Sequence, residues 1–154
     1  MSRSRRQLEG DAASPIGSRL DELTARAKAV SSQAYAPYSR FAVGAAVLAR
    51  DGRIHVGCNV ENASYGLTIC AERSAVFRAV AEGSVDIIAV AVYTPTTTPT
   101  APCGACRQVL FEFGPNAEVI SVCDGPDMLR ATTSNLLPLA FGPADLAASS
   151  EADI

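Results

Sequence analysis

The chain has 154 residues, enough for one domain with its own core. A hydrophobic fraction of 48% beside 19% charged residues excludes a disordered chain, and no apolar run is long enough to span a bilayer. The net charge of -3 lacks the basic field by which proteins grip a polynucleotide, so no nucleic-acid partner and no membrane are expected.

Residues 1–17 are polar and read as a disordered leader rather than a secretory signal. Ser18 is placed as the N-cap of a first helix, in which Leu20, Leu23, Ala27, Val30 and Ala34 recur at helical spacing. Phe41 to Ala49 and Arg53 to Val60 flank Arg50-Asp51-Gly52, the pattern of a hairpin. A polar loop leads to a second helix over 69–82, stopped by Gly83. Asp86 to Tyr93 is a continuous apolar run, the mark of a buried strand. A Thr/Pro loop follows, and Pro102 opens a third helix that ends at Phe113 before Gly114. Ala117 to Cys123 reads as a strand, Leu129 to Thr133 as a weaker one, and Ser134 to Leu137 as a short helical turn. The Ala/Ser-rich segment after Gly142 reads as a mobile tail, with 18–146 as the domain and 147–154 outside it.

Strands separated by helices imply a mixed sheet covered on both faces. The fold class is therefore α/β, a three-layer α/β/α sandwich around about five strands.

The chemistry concentrates at two helix starts. One opens at Cys70-Ala71-Glu72-Arg73, the other at Pro102-Cys103-Gly104-Ala105-Cys106. Residues three apart share a helix face, so Cys103 and Cys106 can grip one metal. Helix N-termini favour thiolates, and ligands gather at the carboxyl edge of strands in α/β sheets. A bare Cys-x-x-Cys also fits a redox pair or half of a zinc ribbon. A ribbon needs a second pair, and a redox motif does not account for a third cysteine beside an acid. Cys70, Cys103 and Cys106 would give zinc three ligands, and a catalytic site leaves the fourth position open. Glu72 would be the base that serves it.

Taken together, these motifs resemble the cytidine deaminase family, in the all-cysteine form of its small homotetrameric members. The resemblance extends through Tyr35–Ala46, Gly57–Ala75 and Leu136–Pro143, and covers nearly all of the chain bar its ends. It implies one zinc per chain held by Cys70, Cys103 and Cys106, with Glu72 moving protons between water, ring N3 and the leaving amino group. It implies that Asn59 and Glu61 hold the sugar hydroxyls, that Phe41 packs on the pyrimidine and that Ala71 meets the base through its backbone. Tyr65 and Phe141 would complete a neighbouring subunit's site in a homotetramer. Arg73, and Arg107 beside Cys106, are expected to offset the charge of three thiolates. One departure stands before Pro102, where Ala101 replaces the serine frequent in that family.

The activity so implied is hydrolytic deamination of cytidine and deoxycytidine. A deaminase of a cytosine nucleoside antibiotic is the alternative on the same scaffold, and a non-catalytic zinc-binding module is one from another class. Five cysteines, an odd number, point to a reducing cytoplasm rather than a disulfide framework. Cys58, Cys123 and the single histidine, His55, are read as structural.

Overall fold

The computed structural model describes residues 16–150, and most of the expected leader, 1–15, lies outside them. Helix α1 spans Leu20–Ser31, and the hairpin follows as β1 (Gly44–Ala49) and β2 (Ile54–Cys58). Then come α2 (Ala71–Ala81), β3 (Ile87–Tyr93), α3 (Gly104–Phe113), β4 (Glu118–Val122), β5 (Met128–Thr132), α4 (Thr133–Leu136) and α5 (Pro143–Ser150). The five strands form one sheet in the order β2-β1-β3-β4-β5. The pair β3 and β4 is parallel and the other neighbours are antiparallel. A parallel pair needs a crossover, and α3 supplies it.

The sheet is covered on both faces, as the apolar runs require. Alternate residues divide between two cores. Val47, Val90, Val92 and Val119 face Ala75, Val76 and Leu110 of α2 and α3. Ala46, Leu48, Ala91 and Ile120 face Leu23 and Ala27 of α1. Each Val or Leu so buried contributes roughly 1.5–3 kcal/mol. The three-layer α/β/α sandwich with a mixed sheet of five strands is thus the fold of this chain. Among the described residues no helix is long and apolar enough to cross a membrane.

Two glycines set the distance between layers. A Cβ on Gly44 would lie 1.9 Å from the Ala27 carbonyl oxygen, and one on Gly57 would lie 2.3 Å from the Ala75 nitrogen. The bare backbone lets α1 and α2 press directly onto the hairpin.

Several local expectations need correction. Ser18 is not an N-cap: it sits inside a 3-10 turn, Gly17–Arg19, which runs into α1 without a side-chain cap. Pro102 precedes α3 rather than opening it, because Cys103 takes the extended cap conformation (φ -67, ψ 166) and the helix begins at Gly104. Helix α2 begins at Ala71 rather than at residue 69, since Ile69 is bridged to Val60. The hairpin strands are shorter than read: beyond Gly44 the Asn59 N–H still donates to the Val43 carbonyl at 3.2 Å, but Val43 N donates to the Asn59 side chain, Oδ1 at 2.8 Å, in place of a backbone carbonyl. Of the segment after Gly142, Pro143–Ser150 forms α5, and 151–154 lie outside the described residues. Pro143 stands at its first position and alanine is the strongest helix former, which explains why it is helical.

Candidate active site

The hairpin register brings three chain ends to one edge of the sheet. Gly44 pairs with both Cys58 and Tyr93. Residues just beyond each of them, Val43, Asn59 and Thr94, therefore meet, and all three line a pocket of about 210 Å³. Phe41, Glu61, Cys70, Ala71, Glu72 and Cys103 line the same pocket.

The sulfurs come from two helix starts. Cys70 is the N-cap of α2 and Cys103 the N-cap of α3, and neither start is closed by a side-chain hydrogen bond. Cys106 lies one turn into α3 and is buried. The three Sγ atoms lie within 4.8 Å of one another, and those of Cys70 and Cys103 are 3.9 Å apart. Tetrahedral zinc, with Zn–S bonds of about 2.3 Å, sets its sulfurs about 3.8 Å apart. The spacing and the soft donor set fit one zinc ion per chain, which Cys70, Cys103 and Cys106 would hold. The Cys106 thiol, joined by the Arg73 guanidinium, holds the Cys70 thiol down to about 5. The Cys70 sulfur and burial push Cys106 up in turn. Ionising one sulfur therefore suppresses its neighbour, a conflict that a divalent cation relieves.

Glu72 is 5% exposed. Burial, and then the charge on Cys70, push its carboxyl above the ordinary range. Arg73 Nη2 donates to Cys70 Sγ at 3.5 Å, so the expected contact to a sulfur is present. Arg107 departs from expectation. Its Nε donates to the Pro102 carbonyl at 2.8 Å and its Nη1 to the Leu136 carbonyl at 3.0 Å. Its guanidinium braces the α3 start through these carbonyls rather than donating to a sulfur.

The sugar-binding pair expected from the resemblance is present but already engaged. Asn59 donates from Nδ2 to the Phe41 carbonyl at 2.8 Å while its Oδ1 holds Val43 N. Glu61 Oε2 accepts the N–H groups of Tyr38 (2.9 Å) and Ser39 (3.2 Å), and its Oε1 accepts the Ser39 hydroxyl. Tyr65 and Phe141 stand outside this pocket, 75% and 59% exposed. Tyr65 packs edge-on to Tyr38 with ring centroids 5.8 Å apart.

Sequence reasoning missed Ser39, Thr94 and Thr100, which line the pocket. Their sequence signal is slight. Ser39 stands two residues before Phe41, and Thr94 ends the apolar run of β3.

Residues 18–122 match the family model described as the cytidine and deoxycytidylate deaminase zinc-binding region. The chain is 46% identical over 134 residues to a cytidine deaminase of Sporosarcina psychrophila, covering 86% of this chain and 98% of that one. It is 51% identical over 114 residues to a cytidine deaminase of Halalkalibacterium halodurans, covering 73% and 86%. The crystal structure of the cytidine deaminase from Burkholderia pseudomallei superposes with a TM-score of 0.77 at 50% identity, covering 79% of this chain and 98% of that chain. A family model spanning the two cysteine-bearing helix starts, and relatives matched over nearly their full length, lead to one assignment: the chain belongs to the cytidine and deoxycytidylate deaminase zinc-binding family.

Proposed function

We propose that this chain hydrolyses the C4 amino group of cytidine and deoxycytidine, giving uridine and deoxyuridine with release of ammonia. The observation that carries this reading is Glu72: a buried carboxyl in the first turn of α2, sharing a pocket with two of the three clustered sulfurs.

When bound by Cys70, Cys103 and Cys106, zinc supplies the acidity that makes water nucleophilic at neutral pH, lowering its pKa from about 15.7 to roughly 7. Glu72 takes a proton from the attacking water and gives it to ring N3, then takes the proton left on the added hydroxyl and delivers it to the departing amino group. A buried carboxyl whose pKa is raised holds a transferred proton more readily than an ordinary carboxylate does. Ala71, the first residue of α2, has an N–H with no partner four residues back in the helix and can meet the base. Phe41 packs on the pyrimidine. Asn59 and Glu61 take the sugar hydroxyls, which favours an ordinary nucleoside over a sugar-modified antibiotic. Arg73 offsets the charge of the thiolates.

The working form is a homotetramer in the cytoplasm. Tyr65 and Phe141, exposed and outside their own pocket, support contributions to a neighbour's site. All five cysteines are free, which suits a reducing compartment. Residues 18–146 make up the catalytic domain. Activity that falls as subunits dissociate on dilution is the expected result for the assembly.

The test of function is a side-by-side assay of cytidine, deoxycytidine, cytosine and CMP with zinc-loaded protein. Both nucleosides should be turned over, and cytosine should lose a factor of about 10⁴ for want of the sugar. No loss of cytidine absorbance would overturn the reading.

A further inference from the structure

Two residues of the pocket wall, Ser39 and Phe41, belong to one short segment, Tyr38 to Phe41. Its backbone is unusual at Arg40, which holds φ 59, in the left-handed region. A side chain there costs roughly 1–3 kcal/mol unless its surroundings over-determine it. Side chains do so on both sides. The Ser39 hydroxyl accepts the Phe41 N–H at 3.0 Å, and Asn59 Nδ2 donates to the Phe41 carbonyl at 2.8 Å. Both polar backbone groups of Phe41 are therefore held by side chains of the turn and of the segment after β2.

The hydroxyl of Ser39 has one proton, and its placement is decided by its partners. The Phe41 N–H can only donate, so the Ser39 oxygen accepts there and its proton goes to Glu61 Oε1. This hydrogen bond, followed by the Tyr38 and Ser39 amides, keeps the Glu61 carboxyl below its ordinary range and ionised. An ionised carboxylate has about four acceptor sites. The three bonds from Tyr38 N, Ser39 N and Ser39 Oγ fill all but one, on Oε1.

We propose that Ser39 is a positioning residue that sets both ends of the substrate pocket at once, aiming the last open acceptor of Glu61 at a sugar hydroxyl and fixing Phe41 beneath the base. The proposal rests on the nucleoside reading above and deepens it. Ser39 touches no reacting atom. It acts through Glu61 and Phe41, so its loss should fall on substrate binding and leave the chemical step alone.

The experiment compares Ser39→Ala and Ser39→Thr, each in the native chain and in Glu61→Gln. Steady-state kinetics with cytidine are measured together with Tm, zinc content and the amide hydrogen exchange of Phe41. Ser39→Ala should raise KM roughly tenfold with kcat held within about twofold, as expected for loss of a charge-assisted hydrogen bond. Ser39→Thr, which keeps the hydroxyl, should restore KM. In Glu61→Gln the same Ser39→Ala change should raise KM by clearly less than in the native chain, because only the Phe41 end is then left to lose. Phe41 amide exchange should quicken in Ser39→Ala whether or not substrate is turned over. An unchanged KM, an equal loss in both backgrounds, or a fall in Tm that accounts for the whole effect overturns the proposal. If the native chain fails to turn over cytidine, the nucleoside reading fails. The exchange measurement then still decides the Ser39 clamp, and unchanged Phe41 exchange overturns it.

Discussion

Arg73 donates from Nη2 to the Cys70 sulfur at 3.5 Å, with the buried Nε left without a partner. A guanidinium committed to a thiolate in this way stabilises the ionised sulfur, and the raised pKa of Arg73 has the Cys70 contact as its first cause. Groups bonded to metal ligands commonly contribute about 10- to 100-fold in metal affinity. Arg73→Met should lower zinc affinity by that order, measured by competition with a chromogenic chelator. Arg73→Lys should recover only part of it, because an ammonium cannot reproduce the planar fork.

Gly57 is the point at which the hairpin positions the zinc-bearing helix. Its missing Cβ faces α2 backbone atoms: Ala75 N at 2.3 Å, Ser74 C at 2.7 Å and Ala71 O at 2.8 Å. None of these atoms belongs to a flexible side chain that could swing away. Gly57→Ala should destabilise the fold by roughly 1–3 kcal/mol. It should also reduce zinc occupancy, since Cys70 and Glu72 move with the helix. Thermal unfolding and metal analysis of the same sample check both outcomes.

His55 is 2% exposed and lies away from the metal cluster. Its Nδ1 meets Glu82 Oε2 at 2.8 Å and its Nε2 meets Ser84 Oγ at 3.0 Å. It ties β2 to the end of α2. His55→Ala should cost about 2–4 kcal/mol by leaving a cavity where the buried imidazole stood and removing its two hydrogen bonds, while kcat and zinc content stay unchanged. Urea unfolding together with a cytidine assay reads both.

Asp51, in the hairpin turn, is held well below the ordinary carboxylate range. The Arg53 guanidinium is the first cause, followed by the Arg53 N–H and the Ser84 hydroxyl. A depressed folded pKa stabilises the fold fully above the unfolded value, about 3.9, and the gain is lost as pH falls from there through the folded value. The native chain should therefore exceed Asp51→Asn in Tm at neutral pH, with the gap closing only below about pH 4. The group is exposed, so the gap should be small.

The metal cluster was legible because Cys70 and Cys103 cap, and Glu72 and Cys106 begin, two helices each marked by its own spacing. The strands of the core were legible from Val47 and its neighbours because both faces of the sheet are buried, which leaves an unbroken apolar run. Arg107 was not legible. Sequence placed it beside Cys106, but whether a guanidinium turns to a sulfur or to the Pro102 and Leu136 carbonyls depends on where α4 packs. Ser39 was hidden for a similar reason, since its partners Glu61 and Phe41 meet only once the turn folds onto the segment after β2. Helix α5 was not legible in the sequence: an Ala/Ser-rich composition reads as a tail, although Pro143 at the first position and the alanines favour a helix.

The central claim is that Glu72 moves protons at a zinc site built from Cys70, Cys103 and Cys106. Glu72→Gln keeps the shape of the side chain and removes its ability to accept a proton. The decisive measurement is the rate of cytidine absorbance loss by Glu72→Gln protein shown to retain one zinc per chain. The variant's kcat should fall about 10²-fold or more; native-like turnover by the zinc-loaded variant would exclude Glu72 as the proton carrier.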